Sequence, residues 1–238
     1  MTSDNIIVEC GKCKNTDCYI KLCDSHWILL VNNKKNQIVF KKGQHIFLEG
    51  HLIFGVYFIQ EGKVKVNSSN LDGKKQIVRL ATDGHILGHL GSQGETYPIE
   101  AVTMEDSRIC FFDNQTMHDA LMANPQFTFN MMMFYSKELR KIEQRTKFFA
   151  QMTVEEKIIF ALLYVASTFG ISKKEKALNV IISRQDLAEI AGTNSEQISR
   201  TLTSLNQQNL IHIRGKEIIM SDYQGLKNCI SRYKISLF

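Results

Sequence analysis

The sequence predicts an α+β chain with an N-terminal antiparallel β-domain, one long helix, and a C-terminal helix-turn-helix flanked by a β-hairpin. Three observations predict it. Between Gln37 and Phe112, short apolar runs alternate with glycine-containing turns, the spacing of an antiparallel barrel or sandwich. From Pro125 onward, apolar residues recur at alternating intervals of four and three, the period of a coiled-coil seam. Between Ser183 and Met220, two capped apolar-periodic segments flank Gly192 and lead into a basic glycine turn, the pattern of a winged helix-turn-helix.

Composition bounds the class. A chain of 238 residues has room for two domains with proper cores. Its 44% apolar and 22% charged content is ordinary for a globular protein. The formal charge of +5 suits a polyanionic partner without demanding one. Residues 1–9 do not read as a signal peptide. The longest apolar run, Ile158 to Ala166, is too short to span a bilayer. No membrane association and a cytoplasmic location are therefore expected, where six cysteines serve as thiols or metal ligands rather than disulfides. An enzyme is not expected, because no nucleophile–base pair, phosphate loop or metal-hydrolase motif stands in the chain.

In chain order, residues 1–25 form a cysteine-rich arm with Cys10-x2-Cys13-x4-Cys18-x4-Cys23. Thiolates at such short intervals can converge on one metal or cluster, and zinc is one reading, idle thiols another. Residues 26–123 form the β-domain. Its runs are Gln37–Phe40, His45–Leu48, Val56–Gln60, Lys63–Asn67, Gln76–Leu80, Ile99–Met104 and Arg108–Phe112, with a hairpin turn over Asn70–Gly73. Cys110 falls on the last strand, where a small buried hydrophobe would also serve.

Residues 124–150 form the long helix, started by Pro125. Thr128, Met132, Tyr135, Leu139, Ile142, Thr146 and Phe149 make a dimerisation seam, with the early turns packed on the β-domain. Lys137, Glu138, Arg140, Lys141, Glu143, Arg145 and Lys147 lie off it. Residues 151–238 hold the winged helix-turn-helix. Glu155 to Phe169, ended by Gly170, supplies an apolar helix for its core.

The helix-turn-helix carries the most specific pattern. Ser183 with Asp186 marks the start of its first helix, and Leu187, Ile190 and Ala191 mark its buried face. A second helix from Ser195 buries Ile198, Leu202 and Leu205. Its other face presents Ser195, Glu196, Ser199, Arg200 and Thr203, which suits base edges in a major groove. Arg184, Arg214 and Lys216 are expected on phosphates. An ordinary helical hairpin that binds no nucleic acid shares the same caps.

These residues resemble the Crp–Fnr family of transcription regulators. The family's glycine followed by Glu-x-x-(Ser or Gly)-Arg stands here as Gly192, Glu196, Ser199 and Arg200, the Ser form being that of the Fnr branch. KKGQHIFLEG, GVYFIQEGKVKV and LDGKKQIVRLATDGHILG resemble the family's β-roll, a cyclic-nucleotide-binding-like jelly roll. The resemblance covers nearly the whole chain. It implies a homodimer on palindromic double-stranded DNA with TTGA-like half-sites, and RNA polymerase as a partner. It implies a 4Fe-4S iron–sulfur cluster held by Cys110 and three of Cys10, Cys13, Cys18 and Cys23. This chain departs from the branch's x2, x5 spacing and has one thiol too many. In cyclic-nucleotide binders of the fold, the loop after Gly84 carries a Glu for the ribose and an Arg for the phosphate. Neither stands here, so cyclic AMP is not expected. The other route to a signal is a small-molecule effector in the β-roll pocket, without a cluster.

Overall fold

A computed structural model describes residues 8–70, 73–88 and 95–233. Contacts group the chain into two units, Met1–Ser68 with Arg79–Lys137, and Ser69–Val78 with Glu138–Phe238.

Among the described residues the β-domain has eight strands: β1 Asn36–Phe40, β2 His45–Phe47, β3 Gly55–Glu61, β4 Val64–Ser69, β5 Lys75–Ala81, β6 Ile86–Leu87, β7 Glu100–Thr103 and β8 Ser107–Asp113. They form two four-stranded sheets, ordered β1-β8-β3-β6 and β2-β7-β4-β5. The seven runs read from the sequence are all strands, and the two-residue β6 is the one missed. The part of the Asn70–Gly73 turn at residues 71–72 lies outside the described residues. Gly62, between β3 and β4, has φ +133°, and a Cβ there would lie 2.2 Å from the Ser107 hydroxyl oxygen. Only glycine permits that approach.

Alternation along the strands creates two cores. Ile59 of β3 and Ile109 of β8 join Phe47, Val64, Val66, Leu87 and Ala101 inside the roll. Val56 and Phe58 of β3 and Phe112 of β8 face the other way. That outer face is covered by the arm and by helices α1 (Ser25–Lys34), α2 (Asn114–Ala123) and the start of α3 (Pro125–Phe149). Phe58 and Phe112 meet edge to face at 5.6 Å between centroids.

The sequence reading did not resolve α1 and α2 as helices. The apolar block Trp27–Val31 has no clean helical period, and α1 buries only Val31 fully. α2 contains Asn114, Thr116 and His118, weak helix formers. Each is started by a side-chain cap, Asp24 accepting from the Trp27 amide and Asp113 from the Thr116 amide.

α3 spans the length expected from Pro125 to Phe149. Phe127 and Met131 are buried in the outer core, so its first turns pack on the β-domain. Arg145, placed off the seam by its spacing, has its guanidinium over Phe149 and donates to the Ile77, Val78 and Ile190 carbonyls. Burial holds this arginine below its usual pKa.

α4 (Val154–Phe169) opens with a capping box between Thr153 and Glu156 and ends at Gly170. α5 (Arg184–Ala191), α6 (Ser195–Gln207), β9 (His212–Arg214), β10 (Glu217–Ile219) and α7 (Tyr223–Cys229) complete the C-terminal fold. Ile158, Leu162, Leu187, Ile190, Ile198, Leu202 and Leu205 are fully buried there. Gly192 is left-handed, with φ +65° and ψ +40°. A Cβ there meets nothing within 4 Å. Gly192→Ala is therefore expected to cost about 1 kcal/mol through backbone strain alone, measured as a lower midpoint in urea with an unchanged slope.

Candidate functional site

The C-terminal unit presents one face built for contact. Ser183 and Asp186 form a reciprocal capping box at the start of α5. Asn194 caps α6 by accepting from the Gln197 amide at 2.9 Å. With Ile198, Leu202 and Leu205 inward, helical geometry leaves Glu196, Ser199, Arg200 and Thr203 exposed on the opposite face. Ser195 is half-buried and donates to Gln185 Oε1 at 3.0 Å, tying α6 to α5. Ser199 and Thr203 return their hydroxyls to carbonyls one turn back. Arg200 pairs with Glu196 at 2.5 Å on the exposed surface. An exposed pair of this kind is worth at most about 1 kcal/mol, so it opens readily toward a base.

Beside α6, β9 and β10 pair with Arg214 opposite Glu217 and Ile218 opposite Ile213. Lys216 is exposed at the hairpin tip, next to the left-handed Gly215. Arg214 differs from expectation. It is held between Glu175 and Glu217, and so is committed to the wing's own stability. Arg184 is half-buried at the first position of α5.

The expected seam on α3 divides. Met132, Leu139 and Ile142 are 58%, 58% and 60% exposed, large apolar side chains on one stripe, and Thr146 is exposed with them. Tyr135 is partly buried against the outer core, and Phe149 packs edge to face on Phe160 at 5.1 Å.

The N-terminal unit gathers the cysteines that the sequence scatters. Because Ile109 points into the roll, Cys110 points out, to the face the arm covers. Two of the long-range hydrogen bonds that pin the arm there reach the strands themselves. The Val8 amide donates to Gln37 Oε1 at 3.0 Å, and Asn15 Nδ2 donates to the Ile59 carbonyl at 3.2 Å. Cys10, Cys13, Cys18 and Cys110 then line one recess together with Lys21, Lys35 and Gln60. Cys23 is buried in the neighbouring apolar core and is not part of that lining. Among the described residues, no group of three or more His, Cys, Asp or Glu stands close enough to hold a metal ion. No cysteine is in a disulfide.

Burial pushes the Cys18 thiol up to about 11, and the Cys23 and Cys110 thiols up to about 12. Cys10 is raised by the same burial, against the opposing charge of Lys35. These thiols are protonated near neutral pH, and the thiolate is the nucleophile. In metal-free protein, exposed Cys229 is expected to alkylate first. Cys23 and Cys110 should follow more than about tenfold more slowly and accelerate as pH rises. Mass spectrometry of a timed iodoacetamide reaction checks the order.

Inside the roll, Tyr97 stacks on Phe47 at 4.2 Å and donates to the Gly55 carbonyl at 3.0 Å. Tyr57 packs against the same Phe47. His89 and the rest of the loop at 89–94 lie outside the described residues. Among the described residues, no helix is long and apolar enough to cross a membrane.

Comparison with known proteins bears on both units. Residues 37–124 match the cyclic nucleotide-binding domain family, and residues 156–229 match the Crp-like helix-turn-helix domain family. The transcriptional activator protein Anr of Pseudomonas protegens is 26% identical over 185 residues, covering 76% of this chain and 75% of Anr. The FixK2 structure from Bradyrhizobium japonicum superposes with a TM-score of 0.72 at 21% identity, over 82% of this chain and 96% of that one. The c-di-GMP responsive global regulator CLP of Xanthomonas campestris reaches 0.72 at 18% identity, over 84% of this chain and all of CLP. Anr is a transcriptional activator and CLP a global regulator. With a cyclic-nucleotide-binding-type domain ahead of a Crp-type helix-turn-helix and regulators of anaerobic metabolism among its relatives, the chain belongs to the Crp–Fnr superfamily of DNA-binding transcription regulators, in its Fnr-like branch.

Proposed function

We propose that this regulator binds a two-fold symmetric operator as a homodimer, with α6 of each subunit in a major groove and RNA polymerase as its partner in transcription. The carrying observation is the exposed Glu196, Ser199, Arg200 and Thr203 face on a helix whose other side is locked in the core. Arg200 reads a guanine, Glu196 accepts from a cytosine, and Ser195, Ser199 and Thr203 adjust the fit. Lys216 and Arg184 position the domain on phosphates. The stripe of Met132, Leu139, Ile142 and Thr146 on α3 supports pairing of two copies. Half-sites about one helical turn apart, TTGA-like in sequence, follow from that symmetry. The test is a selection from random duplexes followed by binding at several salt concentrations. A preferred palindrome with affinity that falls steeply with salt is expected. Binding that falls with salt but shows no sequence preference would remove the operator.

The N-terminal unit receives the signal. One reading is a small-molecule effector bound by the β-roll without a cluster. It is supported by the lack, among the described residues, of a group drawn together for a metal ion. The similar fold of CLP, a c-di-GMP responsive regulator, is compatible with it. The aromatic pair Phe47–Tyr97, in a roll without the phosphate arginine, supports setting cyclic AMP aside.

A second reading rests on a specific observation, the four thiols on one recess. Their number and kind fit an iron–sulfur cluster, and Cys10, Cys13, Cys18 and Cys110 would hold it. When bound, it would supply sensitivity to oxidation. The protein's own part is to bring Cys110 out to the arm and to exclude solvent with Phe58 and Phe112. Iron and acid-labile sulfide in protein purified without oxygen decide between the readings. About four irons per subunit selects the cluster, and no iron selects the effector.

A further inference from the structure

The recess carries an electrostatic feature that neither reading uses. Lys35 is only 7% exposed, yet among the described residues its ammonium forms no ion pair, and the exposed Glu9, already paired with Lys12, acts on it only at longer range. Its Nζ donates to the Val8 carbonyl, to Asn32 Oδ1 at 3.2 Å and to Cys10 Sγ at 3.7 Å, all neutral acceptors. Lys21, on the same lining, donates to the Cys13 carbonyl at 2.7 Å. Among the described residues, no Asp or Glu belongs to that lining. Lys35 follows the last residue of α1, so the helix's negative end eases part of its charge. Among the described residues no carboxylate stands at ion-pair distance, so much of the cost of burying the ammonium still stands. A buried cation beside a thiol-lined, otherwise apolar recess is the arrangement expected where a negative charge is to be bound.

We propose that the recess takes a net-negative occupant and that Lys35 is its buried counter-charge, with Lys21 as the outer one. This rests on the reading of the N-terminal unit as the sensor and names the chemistry of what it senses with. Negative charge can be delivered by the cysteines themselves, as thiolates on a metal–sulfide centre, or by a small diffusible anion. A neutral effector is excluded as the partner of Lys35. Lys35 also shares a partner with the Cys10 backbone. Asn32 Oδ1 accepts from both the Lys35 ammonium and, at 3.0 Å, the Cys10 amide.

The test uses the full chain with Lys35→Met and Lys35→Arg beside wild type. In metal-free protein, Lys35→Met exchanges an unpaired buried charge for an apolar chain of similar length. Its thermal midpoint is expected to equal or exceed that of wild type. A strut that merely holds Val8 and Asn32 would instead lower it when removed. Occupancy is then read in two arms. One arm reconstitutes each protein with iron and sulfide without oxygen and measures both elements. The other titrates metal-free protein with thiosulfate and follows its thermal midpoint.

Wild type is expected to respond in one arm. Lys35→Arg should keep that response, and Lys35→Met should weaken it at least about tenfold, since a charge pair at this range is strong when shielded from water. Which arm responds identifies the source of the negative charge. Equal responses in wild type and Lys35→Met, or a clear fall in the metal-free midpoint of Lys35→Met, overturn the role of Lys35 and leave the sensory site standing. No response by wild type in either arm overturns a negatively charged occupant of the recess and leaves the effector bound by the β-roll as the sensory reading.

Discussion

Arg200→Ala is expected to bind the selected operator about 10- to 100-fold more weakly, a loss of about 1–3 kcal/mol. The side chain is exposed, and it is paired with Glu196 on the same helix. The variant should therefore fold with stability within about 0.5 kcal/mol of wild type. The loss should be confined to cognate DNA, because a bidentate arginine reads one base pair. Preference at that position should relax while the rest of the palindrome keeps its rank. Lys216→Ala makes the contrast, since a phosphate contact is blind to sequence. It should weaken all duplexes alike and reduce the salt slope by about one. Fluorescence anisotropy on operator and scrambled duplexes measures both. An Arg200→Ala loss of the same size on the two duplexes would mean that α6 does not read bases.

Leu139→Glu with Ile142→Glu is expected to have a still larger effect. Both side chains are mostly exposed in the single chain, one turn apart on α3. Across a two-fold axis each new carboxylate would face its copy in an apolar seam, a like-charge arrangement that disfavours pairing. The chain should sediment as a monomer at micromolar concentration. Operator affinity should fall about 100-fold or more, because the second half-site is no longer held at high effective concentration. Residues within the core of each unit are untouched, so far-ultraviolet circular dichroism should be unchanged. A variant that remains dimeric with full affinity would place the subunit interface elsewhere on the surface.

The two expectations differ in how much of their basis was legible in the chain itself. The Arg200 face follows from local rules: Ser183 and Asp186 set one helix start, Gly192 stops that helix, and a period of 3.6 sorts the residues of the next. Each is a short-range consequence of backbone geometry. The seam was legible only in part. Spacing put Tyr135 and Phe149 in it alongside Leu139, but the folded chain half-buries Tyr135 on the outer core and Phe149 on Phe160. A heptad pattern does not distinguish a neighbour in the same chain from one in another.

By itself, then, the sequence determined every strand but β6, the long helix, the winged helix-turn-helix and the exposed Glu196, Ser199, Arg200 and Thr203 of α6, because caps, turns and periods act within a few residues. It also placed Cys110 on a strand and several thiols in an arm. Only the tertiary structure decided that Cys10, Cys13, Cys18 and Cys110 share one recess while Cys23 enters the apolar core. It decided equally that Arg214 is taken by Glu175 and Glu217, that half-buried Arg145 donates to the Ile77, Val78 and Ile190 carbonyls, and that buried Lys35 lies beside Cys10. Alternation along β8 decides that Cys110 and Ile109 face opposite ways, but not which segment covers either face. That choice is made by pairing between residues up to a hundred positions apart, such as the Asp24 amide on the Asn124 side chain. No local period encodes such pairing.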